Sequence, residues 1–508
     1  MKTAWKKLDI RYTAVIASLL LSSFSTLTAS LPNDDAYTYI RTAEIFLDDG
    51  VSAAISHYTW AGYPILIGAA SMFGLSLLEA AYALNTIFYS ILVFSYISII
   101  QRIDNARIIA LLGAITVLAY PELNEYRDMI IRDTGYWSLS LFAIWRFILF
   151  SDSRQFSELV TFVIAMFTAA LFRAEALVYV LAIPLVLLLD TKLPASKNRL
   201  DVLKVIGFTV TLLSSVILIA LKVGINIPIM LIKLVSVYEP FLIGFFNPSD
   251  AIIATQANTI FGPFSQLIPP DYLHAAVLLG LPAVLITSLF FTIGGPYFWL
   301  LSFGALRGML QFEVEQVRPL LSVALVNLFI AVGFLYLTKF FTGRYAMMLG
   351  IMVSMMVPIL LKSMLARFRI SEGMRAVHIL LILLLSYCMI DAYVSFGRPK
   401  DWLVDSAVFA KIATPKEARI LTNNHTIAYL SERVSEYDRV SRELQEVDIK
   451  TVPPGTLIVL ELTSEIRQLV TDEAIQAQLK LLATFPNSLE PRAVIYERKS
   501  SPDEILLD

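Results

Sequence analysis

From Tyr12 to Leu31 the chain carries no charge, and apolar runs of that kind recur as far as residue 396. About 20 such residues let a helix cross the hydrocarbon core of a bilayer. Candidate spans lie near 12–31, 80–100, 106–121, 135–150, 157–172, 174–190, 203–222, 274–294, 319–338, 345–361 and 376–396. Composition agrees: 57% of residues are hydrophobic and only 16% charged, against about 25% charged in a soluble chain. The fold class expected is therefore an all-α polytopic membrane bundle of about eleven transmembrane helices.

Basic residues set the sidedness of such a bundle. Lys2, Lys6, Lys7 and Arg11 precede the first run. Lys192, Lys197, Arg199 and Lys204 cluster between the sixth and seventh, and Lys362, Arg367, Arg369 and Arg375 between the tenth and eleventh. Eleven spans put all three clusters on one face, with the N-terminus cytoplasmic and the first run acting as a retained signal anchor. A twelfth span over 294–319 breaks that agreement, so this segment is expected at the cytoplasmic interface. The long segment 223–273, rich in proline and aromatics, reads as an outer loop that hugs the bilayer or covers a cavity. Tyr238, Glu239 and Lys233 are its candidate cavity-lining residues.

From Gly397 onward the composition turns soluble. ARILTNN, GTLIVLEL and RAVIYER read as short buried strands, and TIAYLSERV and DEAIQAQLKLLATF as amphipathic helices. The expected organisation is a membrane domain over 1–396 and a small extracytoplasmic α/β domain over 397–508. One cysteine, Cys388, excludes an internal disulfide, and four scattered histidines argue against a histidine zinc site. No nucleic-acid partner is expected.

Polar chemistry gathers on the outer face. In LPNDDAYTYIRTAEIFLDDG, residues 31–50, Asp34 and Asp35 open a helix that runs to about Asp49. Ala36, Ile40, Ala43 and Leu47 give it one apolar face, suited to the membrane surface. One acid is accounted for as a helix cap; its neighbour is not, at a membrane edge where ionised groups are costly. In PELNEYRDMIIRDTGYW, residues 121–137, Glu122, Glu125 and Asp128 read as a solvated turn. Arg132 and Asp133 abut the next helix, where they face the bundle or pair with each other. Arg173 and Glu175 interrupt a long apolar stretch, as a tight surface turn or as part of a site. Lys339, Arg344 and Tyr345 stand at an outer helix end, either as snorkelling anchors or with the arginine fork on a phosphate. The spans themselves carry few ionisable groups, unlike an ion-coupled transporter.

An inside N-terminus, one span and then an acidic pair opening a surface helix resembles the GT-C superfamily of membrane glycosyltransferases, nearest to its protein mannosyltransferase and aminoarabinose transferase branch. Asp34 matches the family Asp, and Asp35 stands where Glu is usual. HYTWAGYPILIGAASMFG resembles the Tyr-Pro entry to the next helix. IIRDTGYWSLSLFAIWRF resembles the second outer loop, with Asp133 as its acid. GRYAMMLGIMVSMMVPILL resembles the late Arg/Lys and Tyr helix start.

The resemblance implies a sugar donor on a polyprenyl phosphate whose tail lies in the membrane lipid. It implies a glycan, lipid or protein acceptor arriving from water, and inversion at the anomeric carbon. Asp34 would be the general base. Asp35 and Asp133, with Glu175 in support, would orient the acceptor or hold a divalent cation, Mg or Mn. Arg344, with Arg132 or Arg173 and Tyr345, would receive the phosphate. The rival enzyme on this topology is a ligase or polymerase using lipid-diphosphate glycans; the rival non-enzyme is a lipid-linked sugar transporter. A bacterial inner membrane is the expected location.

Overall fold

The computed structural model describes residues 9–29, 31–189, 194–222, 227–246, 249–310, 314–367, 374–394 and 399–499. Lys2, Lys6, Lys7, Lys192 and Arg369 of the basic clusters, and the side chain of Lys233, lie outside the described residues.

All eleven apolar runs are helical. Ile10–Thr28, Leu77–Ile103, Ala195–Lys222, Pro270–Ile293, Val317–Thr338 and Gly343–Arg367 are long and apolar enough to cross a membrane. A seventh crossing arises if Arg107–Leu118 and Pro121–Arg127, bent by 60°, count as one broken span. The other four runs form Asp133–Ser153, Phe156–Ala170, Glu175–Ala182 with its 3-10 continuation Ile183–Leu189, and Met374–Tyr393, which are shorter or less apolar. Leu77–Ile103 and Gly343–Arg367 bury most of their surface and form the middle of the bundle. Ala195–Lys222 leaves Leu213, Ile217, Leu218 and Ile219 exposed, as a lipid-facing helix does. The chain is an integral membrane protein.

One expectation for these parts needs amending. Residues 223–273 are not a loop: Ile227–Phe246 and Asp250–Phe261 are helices, the second capped by the Ser249 hydroxyl on the Ile252 N–H. A helix meets its own backbone groups in a bilayer, where an open loop would leave them unmet, and most of the described side chains of both helices are exposed. The segment 294–319 contains Gly295–Leu306, whose 12 residues reach only about 18 Å, well short of a hydrocarbon core.

The C-terminal part holds a four-stranded sheet in the order β1-β2-β4-β3, with β1 Ile420–Thr422, β2 Leu457–Glu461, β3 Leu479–Phe485 and β4 Ala493–Arg498. β1 and β2 are parallel; β4 runs antiparallel to both β2 and β3. β2 is buried on both faces. Leu457 and Val459 pack with Trp402 and Leu403 of the helix Asp401–Ala413, while Ile458 and Leu460 pack with Ile449 and Ile466, as the two-residue period of a strand requires. DEAIQAQLKLLATF, expected as one helix, splits into a turn of helix, Glu473–Gln476, and β3. β4 had an open edge, and pairing it outweighed the helical propensity of Leu-Lys-Leu-Leu.

Candidate active site

The acidic pair sits where the sequence puts it, in the first turn of the helix Asp34–Asp49. Asn33 is the N-cap position but does not cap. Its amide instead clasps the Ile130 backbone, accepting from the N–H at 2.7 Å and donating to the carbonyl at 3.2 Å. That clasp ties the first outer segment to the second. Of the predicted apolar face, Ala36, Ile40 and Ala43 are buried and Leu47 is exposed. Phe46 and Ala43 press against Gly68 of the helix Gly62–Ser71, where a Cβ would stand 2.6 Å from the Phe46 ring. Tyr63 and Pro64 open that helix, and the Tyr63 hydroxyl donates to Asn85 at 3.1 Å.

The turn carrying Arg173 is wedged between two glycines. A Cβ on Gly62 would meet the Leu171 carbonyl at 2.5 Å, and one on Gly135 would meet the Phe172 ring at the same distance. This close approach delivers the Arg173 guanidinium to Asp133, at the start of the helix Asp133–Ser153. The other arm of Arg173 holds Glu175. Arg173 and Asp133 are both buried. Burial works against the Arg173 charge, but Asp133 and Glu175 more than offset it, so the guanidinium holds its proton more firmly than an ordinary arginine. Tyr345 covers the guanidinium with its ring centroid 4.4 Å away.

Arg344 closes the group. Its Nη1 donates to Asp35 at 2.6 Å and lies 4.0 Å from Asp133. Asp35, Arg344, Asp133, Arg173 and Glu175 thus form one continuous network drawn from four separate segments. Arg132 does not pair with Asp133. It lies over Trp60, 5.0 Å from the ring, and its buried Nη1 has no partner among the described residues. Tyr39 and Tyr58 stand nearby, with ring centroids 5.8 Å apart. Burial raises both hydroxyls above their ordinary values, so they are neutral donors.

Asp34 points the other way, into the open. Its side chain is 53% exposed and is held by Arg442 of the C-terminal part. The other arm of Arg442 donates to Glu461, at the end of β2, at 3.1 Å. Glu461 also accepts from the Asn424 amide at 2.6 Å. Arg442, Trp60, Tyr39 and Tyr58 are the residues that reading the sequence missed. For the three aromatics the signal was present, in the same outer loop as the acids; for Arg442, on a distant polar segment, there was none. Glu122 and Asp128, read as solvated, are half-buried, and Asp128 lines a separate cleft with Glu125 and Asp391.

An apolar groove of about 490 Å³ ends at this network. Glu175 stands in its lining beside Val178, Tyr238, Phe329, Ile330 and Phe334, and Phe334 stacks on Tyr345 with centroids 4.5 Å apart. Tyr238 is thus a lining residue, as expected; Glu239 is exposed.

The carboxylates do not fit a divalent cation in this arrangement. Asp35 and Asp133 each already face an arginine, and among the described residues no three acidic, histidine or cysteine side chains converge as a metal shell.

The fold defines a polytopic membrane protein with a small α/β part, and one solved structure shares it at a TM-score above 0.5. The Archaeoglobus fulgidus oligosaccharyltransferase, crystallised with Zn and sulfate, superposes with a TM-score of 0.52 at 12% identity, over 97% of this chain and 73% of that one. Two structures of ArnT from Cupriavidus metallidurans are also similar. The apo form gives 0.43 at 15% identity over 98% of both chains, and the form bound to undecaprenyl phosphate 0.44 at 13% over 99% of both. No family model and no curated protein matches the sequence.

Proposed function

We propose that the protein is an inverting glycosyltransferase that moves a sugar from a polyprenyl-phosphate donor to an acceptor hydroxyl on the extracytoplasmic face of a bacterial inner membrane. The observation that carries this is a buried-to-exposed gradient of charge at the end of an apolar groove. Arg173 and Asp133 are buried, Arg344 and Asp35 are half-exposed, and Asp34 is open to solvent. A lipid-borne phosphate and a water-borne acceptor need such a meeting place. The fold shared with an oligosaccharyltransferase supports the same class of chemistry.

The donor tail lies along Val178, Phe329 and Ile330, and its phosphate meets Arg344 and Arg132. Arg344 exchanges Asp35 for the phosphate, and Arg132 supplies its unpartnered Nη1. Arg173 with Tyr345 fixes Asp133 and Glu175, which orient the acceptor together with Asp35. Asp34 takes the proton of the acceptor hydroxyl as its oxygen attacks C1. The C1–O bond to the phosphate breaks with its electron pair going to the phosphate, whose charge the arginines balance. The membrane domain of residues 1–396 holds the donor, the N-terminus is cytoplasmic, and residues 397–508 stand in the outer solution.

Purified enzyme in lipid nanodiscs, given polyprenyl-phosphate sugars labelled in the sugar, tests this. Asp34→Asn is expected to cut transfer by a factor on the order of 10² to 10⁴ with donor binding intact. Unchanged transfer removes Asp34 from the chemistry. Turnover only with a lipid-diphosphate oligosaccharide favours a ligase, the activity that the shared oligosaccharyltransferase fold keeps as the second reading.

A further inference from the structure

The C-terminal part carries a polar cleft of about 480 Å³ that the chemistry above does not use. That size lies within the range of about 300–1,000 Å³ of small-molecule sites. Its walls are Trp402, Glu461, Leu462, Arg467, Glu490 and Arg492. The Arg492 guanidinium lies over the Trp402 ring at 5.0 Å, and Arg467 donates to the Pro491 carbonyl at 2.6 Å. Trp402 is only 8% exposed, and its Nε1–H has no partner among the described residues.

The charges on the walls state which ligand. Arginines only donate and carboxylates only accept. A phosphate would suit Arg467 and Arg492 but face Glu461 and Glu490; an amine would meet the reverse conflict. Adjacent hydroxyls donate and accept side by side, and so satisfy both pairs. Leu462 and Pro491 offer apolar surface to the C–H faces between those hydroxyls.

Glu461 belongs to two places at once. It lines the cleft, and its Oε2 accepts from Arg442, whose other arm holds Asp34. Resting on the assignment of Asp34 as the base, we propose that this cleft is the acceptor subsite and that the acceptor is a saccharide held by its hydroxyls. A sugar hydroxyl that donates to Glu461 competes with Arg442 there and loosens the hold of Arg442 on Asp34. Occupancy of the cleft thereby frees the carboxylate that must take the proton.

The test is calorimetric titration of the full chain in nanodiscs with a panel of short neutral oligosaccharides of defined sequence, without donor. At least one is expected to bind. Arg467→Ala and Arg492→Ala are each expected to weaken that binding by about tenfold or more, the loss of a charge-assisted hydrogen bond, and Arg467→Lys to restore part of it. Asp34→Asn is expected to keep sugar binding, since Asp34 lies outside the cleft, with its affinity shifted only as far as Arg442 couples Asp34 to Glu461. Failure of every neutral saccharide to bind the wild type overturns the proposal. So does binding that neither arginine substitution weakens, or tight binding only by anionic sugars. Transfer that survives Asp34→Asn overturns the base assignment instead, and the titration separates that failure from failure of the cleft.

Discussion

Arg173 and Arg344 look alike in the sequence, each standing at an outer helix end, yet the structure gives them different loads. Arg173 is buried between two carboxylates, so removing it leaves Glu175 unpaired and Asp133 with only the more distant Arg344, at 4.0 Å. Arg173→Met is expected to destabilise the protein by about 3–5 kcal/mol, read as a fall in the unfolding midpoint in detergent. The Arg344 and Asp35 side chains are 35% and 42% exposed, and a pair so accessible contributes roughly 0–1 kcal/mol. Arg344→Met is therefore expected to unfold near the wild-type midpoint while losing donor affinity. A large stability loss in the second variant would mean that its bond to Asp35 is structural. Apart from Arg442, the ionisable residues of this site were legible one by one because charges beside apolar runs are costly and few. Their pairing was not: Arg132 and Asp133 are neighbours in sequence, but Asp133 takes Arg173 instead.

At the level of elements, the site depends on how closely the turn 171–174 can approach its neighbours. Phe172 is 2% exposed and touches Gly135, so its ring has nowhere to retreat. Gly135→Ala is expected to cost about 1–3 kcal/mol and to reduce donor binding, because the displaced turn carries Arg173 with it. Gly207, in the helix Ala195–Lys222, has nothing within 4 Å of its would-be Cβ. Gly207→Ala is expected to be stabilising by about 0.5–1 kcal/mol, which makes it the control for a general effect of losing glycine. Thermal unfolding with a donor-binding assay reads both. Helices that bury one apolar stripe or cross lipid were legible from their apolar runs. β3 was not, because Leu479–Phe485 has a pattern open to either period and only the free edge of β4 decides it. The helices within 227–261 were hidden for the opposite reason: Pro240 and the aromatics suggested a loop, while the need to satisfy backbone groups in lipid favours a helix.

Across the whole molecule, three of the contacts that seat the C-terminal part on the first outer segment bear on the site. Tyr37 is buried against Tyr429 and Tyr437 and donates to Thr426 at 2.9 Å; His57 meets Asp438 at 2.8 Å; Arg442 meets Asp34. Burial pushes the Tyr37 hydroxyl up to about 12, from an ordinary value of about 10. The docked state thus favours the protonated phenol. Its stability is complete below about pH 10 and falls as pH rises through about 12, an alkaline loss of docking that Tyr37→Phe is expected to remove and limited proteolysis can follow. The contact with Asp34 differs from the other two because it spans 408 positions to reach the proposed base. Were it only a mooring, Arg442→Ala, His57→Ala and Asp438→Asn would give the same defect. If Arg442 acts on Asp34, Arg442→Ala alone changes kcat, while the His57 and Asp438 variants lower the unfolding midpoint and spare turnover. The coupling is checked with Asp34→Glu, which keeps a carboxylate and some transfer. Residues in contact depart from additivity by about 0.5–3 kcal/mol, so the change in kcat caused by Arg442→Ala is expected to differ between that background and the wild type. Equal changes in both backgrounds would separate Arg442 from the chemistry and leave it as a mooring.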